Sequence, residues 1–182
     1  MGRSCGGAGG PAAVLRVGGL TVPMFLTLTV VAALGCGLMA GVFFAFSAMV
    51  MPGLRRVGPE EGVAAMRAIN AAVVNPAFIG LFLGTAVVSV VAAFGGTVAG
   101  WVGAALYVLG GIALTASYHI PRNNALDREG TPAHWERYLR EWVPGNHVRA
   151  FACLGAASAF TIAATQLRPP RSVVTLSNFR DL

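Results

Sequence analysis

The sequence predicts an all-α fold: a four-helix transmembrane bundle with two short amphipathic loop helices on one side. Of its 182 residues, 55% are hydrophobic and only 11% are charged, and the mean hydropathy is +0.68. Soluble domains are about one-quarter charged, and a chain of this length exposes too much surface to hide so many apolar residues from water. The apolar residues also gather in four separate runs. These observations predict a multi-pass membrane protein whose surroundings are lipid.

The first three runs contain no Asp, Glu or Arg, and the fourth contains one, Arg149 near its start. Each run is near the roughly 20 residues that cross about 30 Å of hydrocarbon. They cover residues 22–50, 77–94, 98–118 and 148–167. Because they are continuously apolar rather than alternating, they do not fit the strands of a membrane barrel. The first run far exceeds the roughly 7 to 15 apolar residues of a signal peptide, so it is predicted to be a spanning helix. Residues 1–21 and 168–182 are predicted to be a disordered lead and a disordered tail.

The charged and thiol groups exclude several classes of partner and site. All 13 basic residues are arginine, and they flank the apolar runs, so nucleic acid is not an expected partner. Eight lie in the two larger loops and five near the termini, which by the positive-inside rule places the loops in the cytoplasm. We expect the cytoplasmic membrane of a bacterium. Cys5, Cys36 and Cys153 are too widely spaced to predict a disulfide framework or a metal knuckle.

Small residues recur every four positions in the first two runs, as in Gly37, Gly41 and Ala45, and again in Gly80 and Gly84. This spacing lets helix backbones approach closely in lipid. We interpret it as packing within the bundle. The alternative is that the same small-residue faces form the interface of a homo-oligomer.

The loop after the first run predicts a short amphipathic helix. Met51-Pro52-Gly53 is expected to end the first spanning helix, and Pro59 is expected to start the loop helix. That helix is expected to end at Asn75-Pro76, since a residue before proline disfavours helical geometry. Asn70 and Asn75 are polar groups near membrane depth, so each is either a cap or a ligand contact.

The second large loop carries the more specific pattern. The third run ends at Tyr118 and is followed by His119, Arg122, Asn123 and Asn124, which places an imidazole, a guanidinium and two amides at the mouth of the bundle. Polar groups at membrane depth are costly and indicate function, although an interfacial histidine also reaches water readily.

A second short helix is predicted to open at Thr131-Pro132. On it Trp135, Tyr138 and Trp142 share one face, either as an interfacial aromatic belt or as a wall of a substrate entrance. His134 on the same helix is expected to be solvated.

The fourth spanning helix is then predicted to begin with Asn146 as its N-cap, followed by His147 and Arg149. If the third and fourth helices are neighbours, His119 and His147 come close together.

Four short motifs follow one another along the chain. They are Phe43-Phe44-Ala45-Phe46 with Met51-Pro52, Asn70 with Asn75-Pro76, His119-Ile120-Pro121-Arg122-Asn123-Asn124, and Trp135 to Trp142 followed by Asn146-His147-Val148-Arg149. In this order they resemble the anthrone oxygenase-like family of small four-helix membrane proteins, over about residues 25–167. The resemblance implies oxidation of anthrones or related phenolic polyketides by dioxygen, a monooxygenase reaction without an evident cofactor. Many bacterial members of the family have no assigned role.

This reaction needs a base, an oxyanion partner and an apolar slot. A histidine with an unperturbed pKa of about 6.5 suits the base, so we assign that role to His119 or His147. Arginine and amide donors suit the developing oxyanion. The residues expected to contact substrate are Asn70, Asn75, Arg122, Asn123, Asn124, Trp142, Asn146 and Arg149.

Two other classes of function stay open at this point. A metal or haem enzyme could use His119 and His147 as ligands, but two histidines without a carboxylate or cysteine partner are a thin ligand set, so no metal site is predicted. The second is a nonenzymatic membrane protein, either a subunit or a binder of lipid or quinone, in which the polar residues serve as caps and anchors.

Overall fold

A computed structural model of the protein describes residues 16–17 and 20–167. Within them, β1 (Arg16–Val17) pairs with β2 (Leu20–Thr21) in a two-residue antiparallel ladder, and the remainder is helical. The rest of the predicted N-terminal lead, and all of the predicted tail from 168 to 182, lie outside the described residues. The predicted all-α fold class is confirmed.

The helices of the described part are α1 (Val22–Arg56), α2 (Pro59–Ala72), α3 (Pro76–Ala93), α4 (Val98–Glu129) and α5 (Pro132–Gln166). Of these, α1, α3, α4 and α5 are long and apolar enough to cross a membrane. They form the predicted four-helix bundle, and α2 is the predicted amphipathic loop helix.

The helix α1 does not end at Met51-Pro52-Gly53 as the sequence predicted. A π-helical segment, Phe46–Val50, leads into a further α-helical segment, Met51–Arg56. Proline is tolerated in the first turn of an α-helical segment, and Pro52 occupies that position. The same arrangement carries α4 past its predicted end at residue 118, since π-helical Thr115–His119 precedes an α-helical segment that has Pro121 in its first turn.

The prediction of a separate second loop helix is also wrong. The helix α5 runs without interruption from Pro132 to Gln166 with Pro144 inside it, so the loop helix and the fourth spanning helix are one element. Contacts on both sides hold the chain in register, because Trp142 is buried before the proline and Asn146 bonds to α1 after it. Asn146 is therefore not an N-cap. Thr131 caps α5 instead, accepting a hydrogen bond from the backbone N–H of His134.

Two apolar cores result from the lengths of these helices. The 35 residues of α1 and of α5 reach about 52 Å at 1.5 Å per residue, well beyond the roughly 30 Å of hydrocarbon. One core lies among α1, α3, α4 and α5 within the bundle and includes Cys36, Met39 and Tyr107. The second, which we call the loop-side core, lies where α2 covers the extended helix ends. It consists of Met51, Val63, Met66, Leu126, Trp135, Tyr138, Leu139 and Trp142.

The loop-side core corrects the interpretation of the aromatic face as an interfacial belt. Trp135, Tyr138 and Trp142 are 2%, 2% and 3% exposed, and neighbouring rings stack with centroids 5.7 and 6.1 Å apart. These rings therefore pack α5 against α2 and the ends of α1 and α4.

We expect Gly62→Ala to lower the free energy of unfolding by about 1 to 3 kcal/mol, the usual cost of overpacking a core. A Cβ at Gly62 would lie 2.8 Å from ring carbons of Trp135. The matched control is Gly53→Ala on α1, where a Cβ meets no described atom within 4 Å. Thermal unfolding in detergent micelles measures both variants, and equal melting temperatures would contradict the tight contact.

Candidate functional site

A cavity of about 730 Å³ lies where the membrane bundle meets the loop-side core. Its volume falls within the roughly 300 to 1,000 Å³ of small-molecule sites. All five helices contribute to the wall, and most of the lining is apolar. The aromatic lining residues are Phe43, Phe46, Phe78, Phe82 and Trp142. The polar and charged lining residues are Arg67, Asn70, Thr115, His119, Asn123, Asn124, Asp127 and Arg149.

Arg149 is the most deeply placed charge in this wall, with only 6% of its surface exposed. Its guanidinium donates to Thr115 Oγ1 at 3.1 Å and to Asn146 Oδ1 at 2.6 Å. The group lies over the Phe43 ring, 4.3 Å from its centroid, and aromatic faces attract cations. Among the described residues no carboxylate lies within ion-pair distance of Arg149, and its Nε atom is buried without a partner. The cation therefore has dipoles and ring faces around it but no counter-charge.

Asn146 holds Arg149 in place. Its Nδ2 donates to the carbonyl oxygen of Phe43 at 2.6 Å and to Ser47 Oγ at 2.7 Å, which leaves Oδ1 to accept from the guanidinium. The residue is fully buried and does not line the cavity itself. Asn146 is thus a positioning residue that connects α1 to Arg149, rather than the substrate contact that the sequence predicted.

His119 lines the cavity from α4 and is 1% exposed. Its Nδ1 lies 3.4 Å from the carbonyl oxygen of Leu114. Because a carbonyl only accepts, this contact places the proton on Nδ1 and leaves the lone pair on Nε2. The Nε2 atom is buried without a hydrogen-bond partner among the described residues. The ring packs edge-on against Trp142, with centroids 5.2 Å apart, so its orientation is fixed by packing.

Gly145 allows α5 to approach α4 at this level. A Cβ at Gly145 would lie 3.0 Å from Cε1 of His119 and 2.5 Å from the Tyr118 ring. Gly145 is therefore a close-contact position inside a continuous helix.

Asn123 lies in the cavity wall and also ties α4 to α5. Its Oδ1 accepts hydrogen bonds from the Tyr138 hydroxyl at 2.8 Å and from the Trp142 ring N–H at 3.1 Å. Trp142, predicted as a substrate contact, is thus in the wall and held there by Asn123. Of the other predicted amides, Asn70 lines the cavity with a buried, unpartnered Nδ2, and Asn124 lines its exposed edge.

Besides Asn146, three predicted site residues do not line the cavity. Asn75 caps α3, accepting from the backbone N–H of Phe78 at 2.9 Å, which confirms the capping alternative. Arg122 pairs with Glu141 at 3.0 Å and lies over the Tyr118 ring. His147 is exposed and does not line the cavity. The structure therefore does not bring His119 and His147 to one site, where they could share the role of general base or bind one metal ion together.

The sequence analysis missed most of the apolar lining and three polar lining residues, Thr115, Arg67 and Asp127. Thr115 lies one turn before His119 on α4, and that spacing could have identified it. Arg67 donates to the carbonyl oxygens of Leu126 and Asp127 at 2.9 and 2.6 Å, a contact between α2 and α4 that periodicity does not indicate. The expectation that His134 is solvated is wrong, because it is 7% exposed and its Nδ1 lies 2.6 Å from the Glu129 carboxylate.

We expect Asn146→Ala to lower the free energy of unfolding by about 2 to 4 kcal/mol, since it removes an acceptor from a buried cation together with both Nδ2 hydrogen bonds to α1. Ser47→Ala is the matched control, because it removes only the hydroxyl that accepts from Asn146 Nδ2. It should lower the free energy by only about 1 kcal/mol, because Asn146 keeps its bond to Phe43. Chemical unfolding in micelles measures both, and equal effects would contradict the central position of Asn146.

The match to known proteins falls on the same region of the chain. A family model described as Anthrone oxygenase matches residues 63–159, which cover most of α2, all of α3 and α4, and most of α5. No curated protein and no solved structure matches the chain.

Proposed function

The chain belongs to the anthrone oxygenase family, and from this membership we propose that it oxidises anthrone-like or other phenolic aromatic compounds with dioxygen, using His119 as the base. The observation that supports the proposal lies in one apolar cavity, where Arg149 is a buried cation and His119 has a buried Nε2. Within residues 20–167 Arg149 has no carboxylate partner and that Nε2 has no hydrogen-bond partner.

The charge of Arg149 favours an anionic occupant. An isolated charge in a low-dielectric interior is costly, and that cost falls when an opposite charge with good hydrogen bonds lies beside it. A carboxylate of the protein would supply such a charge permanently. In its absence, an oxyanion that forms on a bound substrate is stabilised more strongly than the neutral ground state, and this difference is what lowers a reaction barrier.

An anthrone has the chemistry that such a cavity serves. Its methylene group lies between two aryl rings and is conjugated to a carbonyl, so removal of one proton gives a delocalised anthranolate. His119 Nε2 accepts that proton, and the guanidinium of Arg149 stabilises the oxygen on which the negative charge collects. Thr115 holds that guanidinium in place by accepting a hydrogen bond from one of its N–H groups. The anion passes one electron to dioxygen, the two radicals combine at the former methylene carbon, and water is lost. Anthrone and dioxygen thus give anthraquinone and water.

The remaining wall residues fit the shape of a fused-ring aromatic compound. Phe78 and Phe82 stack nearly parallel, with centroids 6.1 Å apart, and offer an apolar surface on α3. Asn70 and Asn124 supply amide groups at the polar edge of the cavity, where they would orient further substrate oxygens. We place this chemistry at the cytoplasmic face of a bacterial membrane, with the arginine-rich loops inside.

We expect His119→Gln to lower kcat about 10²- to 10⁴-fold, the usual contribution of a positioned general base. The matched control is His147→Gln, which changes an exposed imidazole on α5 and should leave the rate unchanged. Oxygen uptake by proteoliposomes given emodin anthrone measures both. Full activity of the His119 variant in protein that still folds would contradict the assignment of the base.

We expect Arg149→Gln to lower kcat/KM about 10²- to 10³-fold, as loss of an oxyanion donor does. Because this variant also loses buried hydrogen bonds, Arg149→Lys provides a second measurement. It retains the cation without the guanidinium fork, so it should recover part of kcat/KM. Two variants of equal activity would show that the charge has no role in the reaction.

The binder alternative predicts a different pair of results. If the cavity only holds a quinone or phenolic lipid, the parent protein binds emodin without catalysing oxygen uptake from any anthrone. Binding by titration calorimetry and uptake at an oxygen electrode, measured on one preparation, separate the two functions.

A further inference from the structure

The geometry points to a lateral entrance between α3 and α4 through which the cavity takes its aromatic ligand directly from the hydrocarbon of the membrane. This inference rests on the proposed function for the class of occupant: a flat, uncharged fused-ring phenol or ketone that dissolves in lipid and carries its oxygens at one edge.

The rim of the opening is apolar and exposed. Ile79 and Leu83 on α3 line the cavity and are 38% and 48% exposed. Ala116 and Ile120 on α4 line it as well and are exposed. A residue that both lines a cavity and faces outward marks the edge of an opening. On a spanning helix the outward side faces lipid, so this opening is bordered by side chains that suit hydrocarbon.

The course of the two helices explains the gap. A short turn joins Ala93 to Val98, and α3 packs mainly against the first two turns of α4, Val98–Ala105. Beyond those turns the contact between the two helices weakens, and α4 becomes π-helical from Leu106 onward. The helices therefore separate toward the loop side, where the cavity lies.

The depth of the rim fits access from lipid. The helix α3 is 18 residues long, which is about 27 Å at 1.5 Å per residue, so it crosses the hydrocarbon with little excess. Leu83 lies seven residues from Pro76, the first residue of α3, and is therefore about 10 Å along the helix from its loop-side end. Lipid chains reach this level, whereas water does not.

The loop-side edge of the cavity is polar and is crossed by the contact between α2 and α4, where Asn124 and Asp127 line the cavity and are exposed. Arg67 on α2 donates to the Leu126 and Asp127 carbonyl oxygens of α4 and lies 3.8 Å from the Asp127 carboxylate. Buried apolar contacts of α2 in the loop-side core add to this attachment. A lipid-dissolved ligand that enters between α3 and α4 meets only apolar side chains, whereas one that enters at the loop side meets this charged and amide edge.

The polarity of the wall then sets the orientation of the ligand. The rim on α3 and α4 is apolar, while Arg67, Asn124 and Asp127 lie at the loop-side edge. A fused-ring phenol that slides in from lipid keeps its hydrocarbon edge toward the rim and its oxygens toward the polar edge and Arg149.

The test is Ala116→Phe, which narrows the rim, compared with Ala113→Phe, the same change at an exposed α4 residue that does not line the cavity. Both are made in a Trp101→Phe background, because Trp101 is exposed and would respond to probe in the bilayer. Emodin is mixed with proteoliposomes in a stopped-flow instrument, and quenching of the fluorescence of the remaining tryptophans is recorded. The saturable part of the quenching gives the association and dissociation rates.

We expect Ala116→Phe to slow association and dissociation equally, by about tenfold, since access then requires a conformational opening, with Kd unchanged. Ala113→Phe should match the parent, and the water-soluble probe anthraquinone sulfonate should give no saturable quenching. The proposal would be overturned if both variants bound emodin at the same rate, or if Ala116→Phe weakened Kd without slowing association. Rapid binding of the sulfonate to the parent protein would also overturn it, and so would the lack of any saturable quenching by emodin. Quenching that follows the expected pattern without oxygen uptake from emodin anthrone would uphold the entrance and reject the oxygenase function.

Discussion

The rest of the structure depends on how the chain accommodates one buried guanidinium. Arg149 lies inside a bundle whose apolar exterior faces lipid, so every partner for its N–H groups must come from within the bundle. Asn146 supplies one acceptor and is itself bonded to α1, and Thr115 supplies another from α4. Three spanning helices are therefore fixed relative to one another around a single cation. Because the helices that the structure describes surround Arg149 with dipoles and ring faces but no carboxylate, the positive charge stays available to the cavity.

The loop-side core makes this arrangement possible. If the helices ended at the membrane surface, Arg149 and His119 would lie at the boundary between membrane and water, and water would form hydrogen bonds with both side chains. Extending α1, α4 and α5 beyond the bilayer and covering their ends with α2 moves that boundary outward, because Trp135, Tyr138 and Trp142 then fill the space above the cavity. The aromatic residues that resemble a membrane belt in sequence thus exclude water from a polar site near membrane depth.

Periodicity and composition predicted the fold class, the number of spanning helices and the helix α2. A helix that crosses lipid needs a long apolar run, and such a run can be recognised in the amino-acid sequence. Periodicity and composition failed at Pro52, Pro121 and Pro144, where local propensity predicts ends of helices. Two of these prolines follow π-helical segments, and the third lies between residues held by packing, so tertiary contacts decide the outcome. The same error affected the predicted site. An N-cap at Asn146 would put His147 in the first turn of a helix, close to His119. In a continuous α5, Asn146 and Arg149 face inward while His147 faces out.

The candidate site brings together two requirements that usually conflict. An anthrone-like ligand needs an apolar environment to leave the bilayer, whereas a proton transfer that develops negative charge needs polar partners. The cavity separates the two along its length. Its rim on α3 and α4 is apolar, while His119, Thr115 and Arg149 lie on inward faces that lipid does not reach. In the proposed reaction, charge appears only after the ligand is seated, so the cost of desolvation would be offset by groups already buried and oriented in the fold, rather than by rearrangement during the reaction.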